Sequence, residues 1–293
     1  MPDGDRQVAV LSQKQQGFWR SMAADPRWWV GLCLAGVPVL IAVFGPLAAP
    51  HDPLAYADVP FSPPSPGVPF GTDNLGRDVF SRFLSGGQSL LVLSALATIL
   101  GVVLGGLFGA GLAVVRGLVD EVAMPAADVA LAFPAIVLAL MFLSLIGPQH
   151  WLIVLVVALG HLPRTLRVIR GAAMSVVERD FIKYGETLGF SRLRTVVTEV
   201  LPNVVAPLMV EFGIRFTYSV GLVASLSFLG LGVQPPNPDW GNMINETRAG
   251  ITIQPWGVVL PLVALALLAI GCNLITDCIG RAVGLVEARR KDG

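Results

Sequence analysis

The strongest constraint in this sequence is a series of long apolar stretches that contain no formally charged residue. Two of them run from Trp28 to Pro50 and from Phe83 to Val115. A helix needs about 20 apolar residues to cross the roughly 30 Å of hydrocarbon in a bilayer, and both stretches are longer than that. Hydrophobic residues make up 54% of the chain and charged residues only 14%, far from the average of soluble proteins. The sequence therefore predicts an all-α polytopic membrane protein.

Four further spans follow from the same pattern, which predicts six transmembrane helices. The third covers about 122–146 and the fourth about 151–168, separated by the turn sequence GPQH at 147–150. The fifth begins near 204 and ends by 233, and the sixth covers about 255–279. For the first span the alternative is a cleaved signal peptide. We predict an uncleaved helix instead, because its apolar stretch and the polar segment before it are both too long for a signal peptide.

The second span is unusually rich in glycine. Because glycine has no side chain, a helix face made of glycines lets a neighbouring helix approach closely. The glycines expected to act in this way are Gly101, Gly105, Gly106, Gly109 and Gly111.

Basic residues predict which side of the membrane each loop occupies. An even number of spans puts both termini on one side, and cytosolic loops carry an excess of Lys and Arg. If the N-terminus is cytosolic, sixteen of the twenty basic residues lie in or beside cytosolic segments. The other four are Arg77, Arg82 and Arg248 outside, and Arg215 within the fifth span. We therefore predict an N-in, C-in topology.

A polar segment at 180–203, called the elbow below, lies between apolar spans on the predicted cytosolic side. Its first half predicts a helix that Asp180 could cap and Gly189 could end. The apolar face of this helix consists of Phe181, Tyr184 and Leu188. In the second half Ser191 could cap another helix, and Pro202 would fix its exit. The apolar face of this second helix consists of Leu193, Val196, Val197, Val200 and Leu201.

The prediction is thus two short amphipathic helices about a glycine. An apolar face outside the bilayer has to be buried, either by the chain itself or by a partner. Both alternatives remain open at this point.

The elbow resembles the EAA loop of ABC importer permeases, the coupling helix that seats in a groove of the ATPase subunit. The resemblance rests on Gly189 and on the sequence LPN at 201–203, whose proline comes thirteen positions after the glycine. The chain departs from the family where Lys183, Tyr184 and Gly185 stand in place of Glu-Ala-Ala. By resemblance, the ATPase-coupling residues are Asp180, Lys183, Tyr184, Gly185, Glu186, Gly189, Arg192, Leu201, Pro202 and Asn203.

Two predicted external segments resemble one subfamily, the C-type permeases of dipeptide, oligopeptide and nickel importers. The first, GTDNLGRDVFSR at 71–82, leads into the second span, and Asp73 or Thr72 could cap a short interfacial helix there. The second, SLSFLGLGVQPPNPDWGNMINE at 225–246, contains glycines and prolines that must break the fifth helix and form an external loop or reentrant segment. The motif residues of the first segment are Gly71, Thr72, Asp73, Gly76, Arg77 and Asp78.

The resemblance implies a type I ABC importer permease fold in the bacterial inner membrane. The implied partners, besides the lipid bilayer, are a homologous second permease, two ATPase subunits and an external binding protein that delivers the cargo. ATP and Mg²⁺ would be bound by the partner subunits, and no cofactor by this chain. Peptides are the expected cargo, with nickel or another small peptide-like solute as the alternative.

Four segments follow from these predictions. They are a cytosolic N-terminal segment (1–27), the first helix with its external loop (28–88), the permease core with the elbow (89–286) and a cytosolic tail (287–293).

Four charged residues fall within or near the ends of predicted spans, namely Asp128, Glu211, Arg215 and Asp277. A charge at the bilayer centre costs roughly 2.5–3.5 kcal/mol on insertion scales, so such groups need partners or water. Glu211 and Arg215 are four residues apart on one helix and can pair with each other. They form either an internal ion pair or part of a water-filled path that meets the cargo. Asp128 and Asp277 could instead lie at the membrane interface.

Other classes of function lack their motifs. Neither HExxH nor GxSxG occurs and the three histidines are isolated, which argues against an intramembrane enzyme. No lysine follows a glycine, so the chain has no phosphate loop and cannot hydrolyse ATP itself. The three cysteines lie in apolar stretches without a CxxC pair, so we expect buried, inert thiols and no metal site. Nothing suggests nucleic-acid binding. The alternative from another class is a stand-alone secondary transporter or channel, which would work without an ATPase.

Overall fold

A computed structural model describes residues 22–291, with the side chains of 22–185 and 187–284. Within that part of the chain the regular structure is helical, and extended pairing is limited to isolated bridges between 56 and 78. Five helices are long and apolar enough to cross a membrane, and a bent pair of helices passes the same test together, which gives up to six spans. The all-α polytopic architecture is therefore confirmed.

The helices up to the elbow are α1 (Pro26–Ala48), α2 (Val79–Ser85), α3 (Gly87–Val115), α4 (Leu118–Ala132), α5 (Ala135–Ile146) and α6 (His150–Val177). The elbow contains α7 (Asp180–Thr187), α8 (Arg192–Arg194), a π-helix (Thr195–Val200) and α9 (Leu201–Asn203). Beyond it lie α10 (Val205–Phe228), α11 (Trp240–Thr247), a 3₁₀ turn (Arg248–Gly250) and α12 (Trp256–Lys291).

The third predicted span is wrong as one continuous helix. The structure divides it into α4 and α5, which meet at an angle of 79°. Pro134 explains the break, because proline lacks an N–H and its ring disfavours helical geometry in the residue before it. Phe133 is accordingly extended, with φ −87° and ψ 129°.

The predicted ends of the chain are only partly described. The last helix, α12, continues to Lys291, well beyond the predicted end of the sixth span at 279, and so includes the start of the predicted tail 287–293. Most of the predicted N-terminal segment 1–27 lies outside the described residues.

The tightest helix pair is α3 with α6, and glycine makes it so. A Cβ added to Gly101, Gly105 or Gly109 would lie 2.6–2.8 Å from an atom of α6, so a larger residue would push the helices apart. Gly106 faces α10 in the same way, at 2.8 Å from a leucine side chain. For Gly111 the expectation is wrong, because a Cβ there would meet no atom within 4 Å.

The first helix lies at the edge of the bundle. It packs mainly along α12, while α10 packs against both α3 and α12 to close the main apolar core. No other described residue therefore covers the side of α1 that points away from α12. This corrects the expectation of buried thiols for Cys33, which is exposed, whereas Cys278 is buried and Cys272 is partly buried.

Candidate functional site

The elbow is anchored to the bundle by a small apolar cluster at the ends of α3 and α6. Ile182 of α7 is 1% exposed, and Val196 and Val200 of the π-helix are 6% and 0% exposed. Their partners on α3 and α6 are Ala110, Ala113, Ile169, Ala173 and Val176. Because each fully buried Val or Ile side chain contributes roughly 1.5–3 kcal/mol, these contacts tie the elbow firmly to the two spans.

Gly189 ends the first elbow helix, as predicted. Its φ of +76° lies in the left-handed region that glycine adopts without steric cost. The next residue, Phe190, lies under the guanidinium of Arg194, 3.8 Å from the ring centroid. A Cβ on Gly185 would come within 3.1 Å of the Phe190 ring, which is a physical reason for glycine where the family has alanine.

The predicted cap of the first elbow helix is wrong. Asp180 is the first residue of α7, and its carboxylate lies 3.7 Å from Nζ of Lys183. The predicted cap of the second helix is confirmed, since Oγ of Ser191 accepts a hydrogen bond from the Arg194 N–H at 3.3 Å.

The second half of the elbow is not one regular α-helix. Only Arg192–Arg194 is α-helical before a π-helix takes over at Thr195–Val200. Pro202 explains the wider turn, because it has no N–H to donate and its ring crowds the carbonyl four residues earlier. The N–H of Leu201 accordingly reaches back five residues, to the carbonyl of Val196.

The side of the elbow that faces away from the bundle is apolar. We call five side chains there the outer face: Phe181, Tyr184, Leu188, Leu193 and Val197, which are 40%, 66%, 57%, 74% and 48% exposed. Of the residues assigned to coupling by resemblance, Asp180, Lys183, Tyr184, Gly189, Arg192, Pro202 and Asn203 are exposed, Leu201 is partly buried and Gly185 is buried. The side chain of Glu186 lies outside the described set. Nothing in the described part of the chain covers the outer face.

The external motif at 71–78 forms a compact loop, so the predicted helix capped by Asp73 or Thr72 is wrong. Thr72 instead joins two turns, since its Oγ1 donates to the carbonyl of Val59 at 2.6 Å and accepts from the N–H of Ser62 at 2.8 Å. Gly76 has a φ of +74°, and a Cβ there would lie 2.1 Å from the carbonyl oxygen of Asp58. A Cβ on Gly71 would likewise lie 2.3 Å from the Ser62 carbonyl oxygen.

Asp78 caps the helix that does form, α2. Its carboxylate accepts from the N–H groups of Phe80 and Ser81 at 3.1 and 3.2 Å, and from the Ser81 hydroxyl at 2.6 Å. His51 lies against the same carboxylate, with Nδ1 at 3.1 Å. The cap therefore also holds the start of the loop that follows α1.

Four side chains form what we call the external ionic cluster: Asp73, Arg77, Arg82 and Glu246. One Asp73 oxygen lies 2.7 Å from Nε of Arg77 and 3.3 Å from Nε of Arg82. One Glu246 oxygen accepts from both arginines, at 3.0 and 2.8 Å. Arg77 and Arg82 are 5% and 0% exposed. The charges balance, so the cluster joins the first external loop to α11 without leaving a buried charge unpaired.

The predicted break after the fifth helix is confirmed, and the chain re-enters the protein as α11. Trp240 is fully buried, and its Nε1–H donates to the carbonyl of Phe83 at 2.9 Å. Asp239 caps α11 by accepting from the N–H of Asn242 at 3.1 Å. Burial raises the pKa of Asp239 from 3.8 to about 6.

The predicted ion pair within the membrane is formed. Nε of Arg215 lies 2.9 Å from a carboxylate oxygen of Glu211, and the two residues are 8% and 5% exposed. The hydroxyl of Thr165 on α6 donates to the same Glu211 oxygen at 3.2 Å. The pair is thus satisfied inside the subunit.

Comparison with known proteins identifies the family of this chain. Residues 97–284, which include α4 to α11 and the elbow, match the model of the binding-protein-dependent transport system inner membrane component. The chain belongs to this family. It is 34% identical over 262 residues to the glutathione transport system permease protein GsiD of Escherichia coli O1:K1 and of Shigella boydii serotype 4, with 89% of this chain and 86% of the relative covered. The GsiD protein of Shigella dysenteriae serotype 1 is 33% identical over the same length.

The chain is therefore a multi-pass permease of an ABC importer in the bacterial inner membrane, as the motifs predicted. Such importers contain partner permeases, ATPases and a binding protein.

Of the four charged residues predicted within or near the spans, the other two lie on the surface of the permease. Asp128 on α4 is exposed and forms an ion pair with Arg167 of α6. Asp277 on α12 is also exposed. The structure therefore does not bring Asp128, Glu211, Arg215 and Asp277 together.

A cavity in the permease that is lined partly by polar side chains was not predicted. It has a volume of about 540 Å³ and lies between α6, α10 and α12. His161 and Arg164 of α6, Tyr218 of α10 and Asn273 of α12 are among its lining residues. The four residues are scattered over more than a hundred positions, so no local pattern could reveal the cavity. The signal that the sequence carried is that Arg164, like Arg167, falls near the end of the fourth span predicted at about 151–168.

Proposed function

We propose that this permease forms one half of a translocation path, beside a homologous second permease, and that its elbow docks onto one of two ATPase subunits. The observation that carries the proposal is the outer face, whose five large apolar side chains lie outside the membrane-spanning helices. Such a patch marks an interaction site in a soluble environment. On the predicted topology it faces the cytosol, where ATP is available.

The anchoring of the elbow supports its role in coupling. Ile182, Val196 and Val200 pack against the ends of α3 and α6, so a force on the elbow is transmitted to these two spans. In this proposal ATP and Mg²⁺ are bound by the ATPase subunits. When these close on ATP, the docked elbows move with them and the spans open the path outward, a rigid-body transition of a common kind. ATP can drive the change because the ATPases bind it better in the closed state.

The proposed cargo is a peptide-like solute handed over by an external binding protein. Two observations support this class. The relatives are named for the transport of glutathione, a tripeptide, and the external segments 71–82 and 225–246 resemble those of peptide importers. The external ionic cluster joins these two segments, so in this proposal they present one continuous surface to the delivering protein.

A pair of matched leucines tests the proposal. Leu188 on the outer face and Leu75 in the external loop are 57% and 58% exposed. In a co-expressed complex, Leu188→Asp should abolish co-purification of the ATPase subunits and lower import of glutathione at least about ten-fold, because a charge is buried at the interface. Leu75→Asp should leave ATPase binding unchanged.

Two results would contradict the proposal. One is a Leu188→Asp complex that retains its ATPases and imports at the wild-type rate. The other is import that continues without any ATPase, which would identify a stand-alone transporter.

A further inference from the structure

The cavity between α6, α10 and α12 contains polar side chains at a depth where lipid cannot satisfy them. With a rise of about 1.5 Å per residue, His161 and Arg164 lie roughly 16 and 21 Å from the start of α6 at His150. Tyr218 lies about 15 Å from the end of α10 at Phe228 by the same measure. His161 and Tyr218 thus lie near the middle of the roughly 30 Å of hydrocarbon, and Arg164 lies nearer its cytosolic side. Polar groups at this depth face a protein interior or a water-filled path.

One arginine in this cavity differs from its neighbours on the same helix. The arginines of α6 are Arg164, Arg167 and Arg170. Arg167 is paired with Asp128, and Arg170 with Asp120 through two hydrogen bonds of 2.5 Å.

Arg164 is exposed and has no carboxylate within 4.0 Å among the residues that the structure describes. Within the described lining of the cavity it is also the one formally charged residue. The described lining of the cavity therefore carries one positive charge and no counter-ion.

A second group in the cavity has unused hydrogen-bonding capacity. His161 is 4% exposed, and its Nε2 is hydrogen-bonded to the hydroxyl of Ser219 at 2.8 Å. Its Nδ1 is buried and has no partner in the described part of the chain. Buried polar atoms are nearly always paired, so an unpaired one beside a cavity indicates a missing partner.

We propose that this cavity is a cargo-binding subsite of the path, in which Arg164 binds the terminal carboxylate of a peptide-like solute. The inference rests on the proposed function, because it assigns the cavity to the path between the two permeases. Arg164 supplies the charge-assisted hydrogen bonds that a carboxylate prefers. Tyr218, Asn273 and His161 supply uncharged polar groups for the adjoining amide.

The test uses the complete transporter in proteoliposomes, with radiolabelled glutathione and radiolabelled trialanine as probes. The quantity measured is peptide imported per ATP hydrolysed. Arg164→Gln should lower it by about ten-fold or more, the loss expected for a charge-assisted hydrogen bond. Arg164→Lys should restore most of it. Stimulation of the ATPases by peptide-loaded binding protein should persist in Arg164→Gln, because docking at both ends is unaffected.

Arg167→Gln is the matched control, since it removes an arginine three residues away that is paired with Asp128 and does not line the cavity. Import per ATP should stay within about two-fold of wild type. If Arg164→Gln fails to assemble, Tyr218→Phe takes its place in the test. Loss of this one hydroxyl should lower import per ATP by about three-fold or more.

Three outcomes would overturn the inference. Wild-type import per ATP in Arg164→Gln or, where that variant fails to assemble, in Tyr218→Phe contradicts the subsite alone. An equal loss in Arg167→Gln shows that any arginine of α6 is needed and also contradicts the subsite. Import of neither peptide by the wild-type transporter contradicts the cargo class of the proposed function, and the subsite with it.

Discussion

The two ends of the permease differ in which side chains they bury: one end buries charged side chains, and the other leaves apolar side chains exposed. At the external end Arg77 and Arg82 are 5% and 0% exposed and are held by two carboxylates of the same chain. At the other end the five side chains of the outer face are 40–74% exposed, although all of them are apolar.

This difference indicates which end is complete in the single subunit. Buried charges without partners are strongly destabilising, so the external ionic cluster has to be satisfied by the chain itself. An exposed apolar face costs little in the isolated subunit, yet it gives a partner a large area to bury. The external end is therefore held together by the chain itself, whereas in the proposed function the elbow is completed by an ATPase subunit.

The largest effect is expected at the external ionic cluster. Arg82→Met should destabilise the permease by about 3–5 kcal/mol, because it leaves the buried carboxylate of Asp73 and the partly buried carboxylate of Glu246 without one of their two arginine partners. Arg248→Met is the control, since Arg248 is exposed and should contribute within about 0.5 kcal/mol. Thermal unfolding of the purified subunit measures both. Equal unfolding temperatures would show that the cluster does not hold the external end.

The ion pair between Glu211 and Arg215 extends this comparison into the membrane. Arg215→Met alone should cost about 3 kcal/mol by stranding a buried carboxylate, whereas the double change with Glu211→Gln should recover most of that loss. We also expect the double variant to import normally, because the pair is satisfied inside the subunit. A double variant that is stable but does not import would instead place the pair on the path.

Asp239 should make the stability of the external end depend on pH. Its folded pKa of about 6 exceeds the ordinary value of 3.8, so the folded state holds a proton that the unfolded state releases between these values. The resulting stability is present below about pH 4 and is lost as the pH rises through 6.

Asp239→Asn removes this loss and retains the cap of α11, because Asn also caps helices. Compared with wild type, it should gain up to about 3 kcal/mol above pH 6 and nothing near pH 4. Unfolding temperatures of both proteins between pH 4 and 8 measure the gap. A gap that does not change with pH would show that Asp239 is not buried as a carboxylic acid.

The smallest energetic effect is expected at Gly189. Its Cβ would meet no atom within 4 Å, so the cost of a side chain comes from the φ of +76° alone. Gly189→Val should therefore cost about 1–2 kcal/mol and misalign the two halves of the elbow. Asn tolerates this conformation, so Gly189→Asn is the matched control.

Coupling should be far more sensitive to this change than stability. We expect Gly189→Val to insert normally and to lose import and transport-coupled ATP hydrolysis, while Gly189→Asn keeps both. Normal coupling in Gly189→Val would mean that the alignment of the elbow halves does not matter.

Much of the fold could be predicted because hydropathy acts locally. The first span was predicted at 28–50, and α1 runs from Pro26 to Ala48. The bend between α4 and α5 was missed because the high hydropathy of 122–146 as a whole outweighed the signal from Pro134. The end of α12 was missed because hydropathy ends where the membrane does, whereas a helix can continue beyond it.

The two sites differ in how far a sequence can reveal them. Helical periodicity was enough to find the apolar residues of the elbow, although the division into an inner and an outer face required the neighbouring spans. The external ionic cluster had no local signal, since Arg82 and Glu246 are 164 positions apart. Asp73 was expected to cap a helix, but its carboxylate instead closes a turn and binds two arginines.

The central claim, that the elbow is the ATPase interface and the external end is not, can be tested with two tyrosines of equal exposure. Tyr184 on the outer face is 66% exposed and Tyr56 in the external loop is 67% exposed. Each is replaced by the photo-crosslinking amino acid p-benzoylphenylalanine in the assembled transporter, and the adducts are identified by mass spectrometry. We predict an adduct with an ATPase subunit from position 184 and none from position 56. No ATPase adduct from position 184, or equal yields from both positions, would contradict the claim.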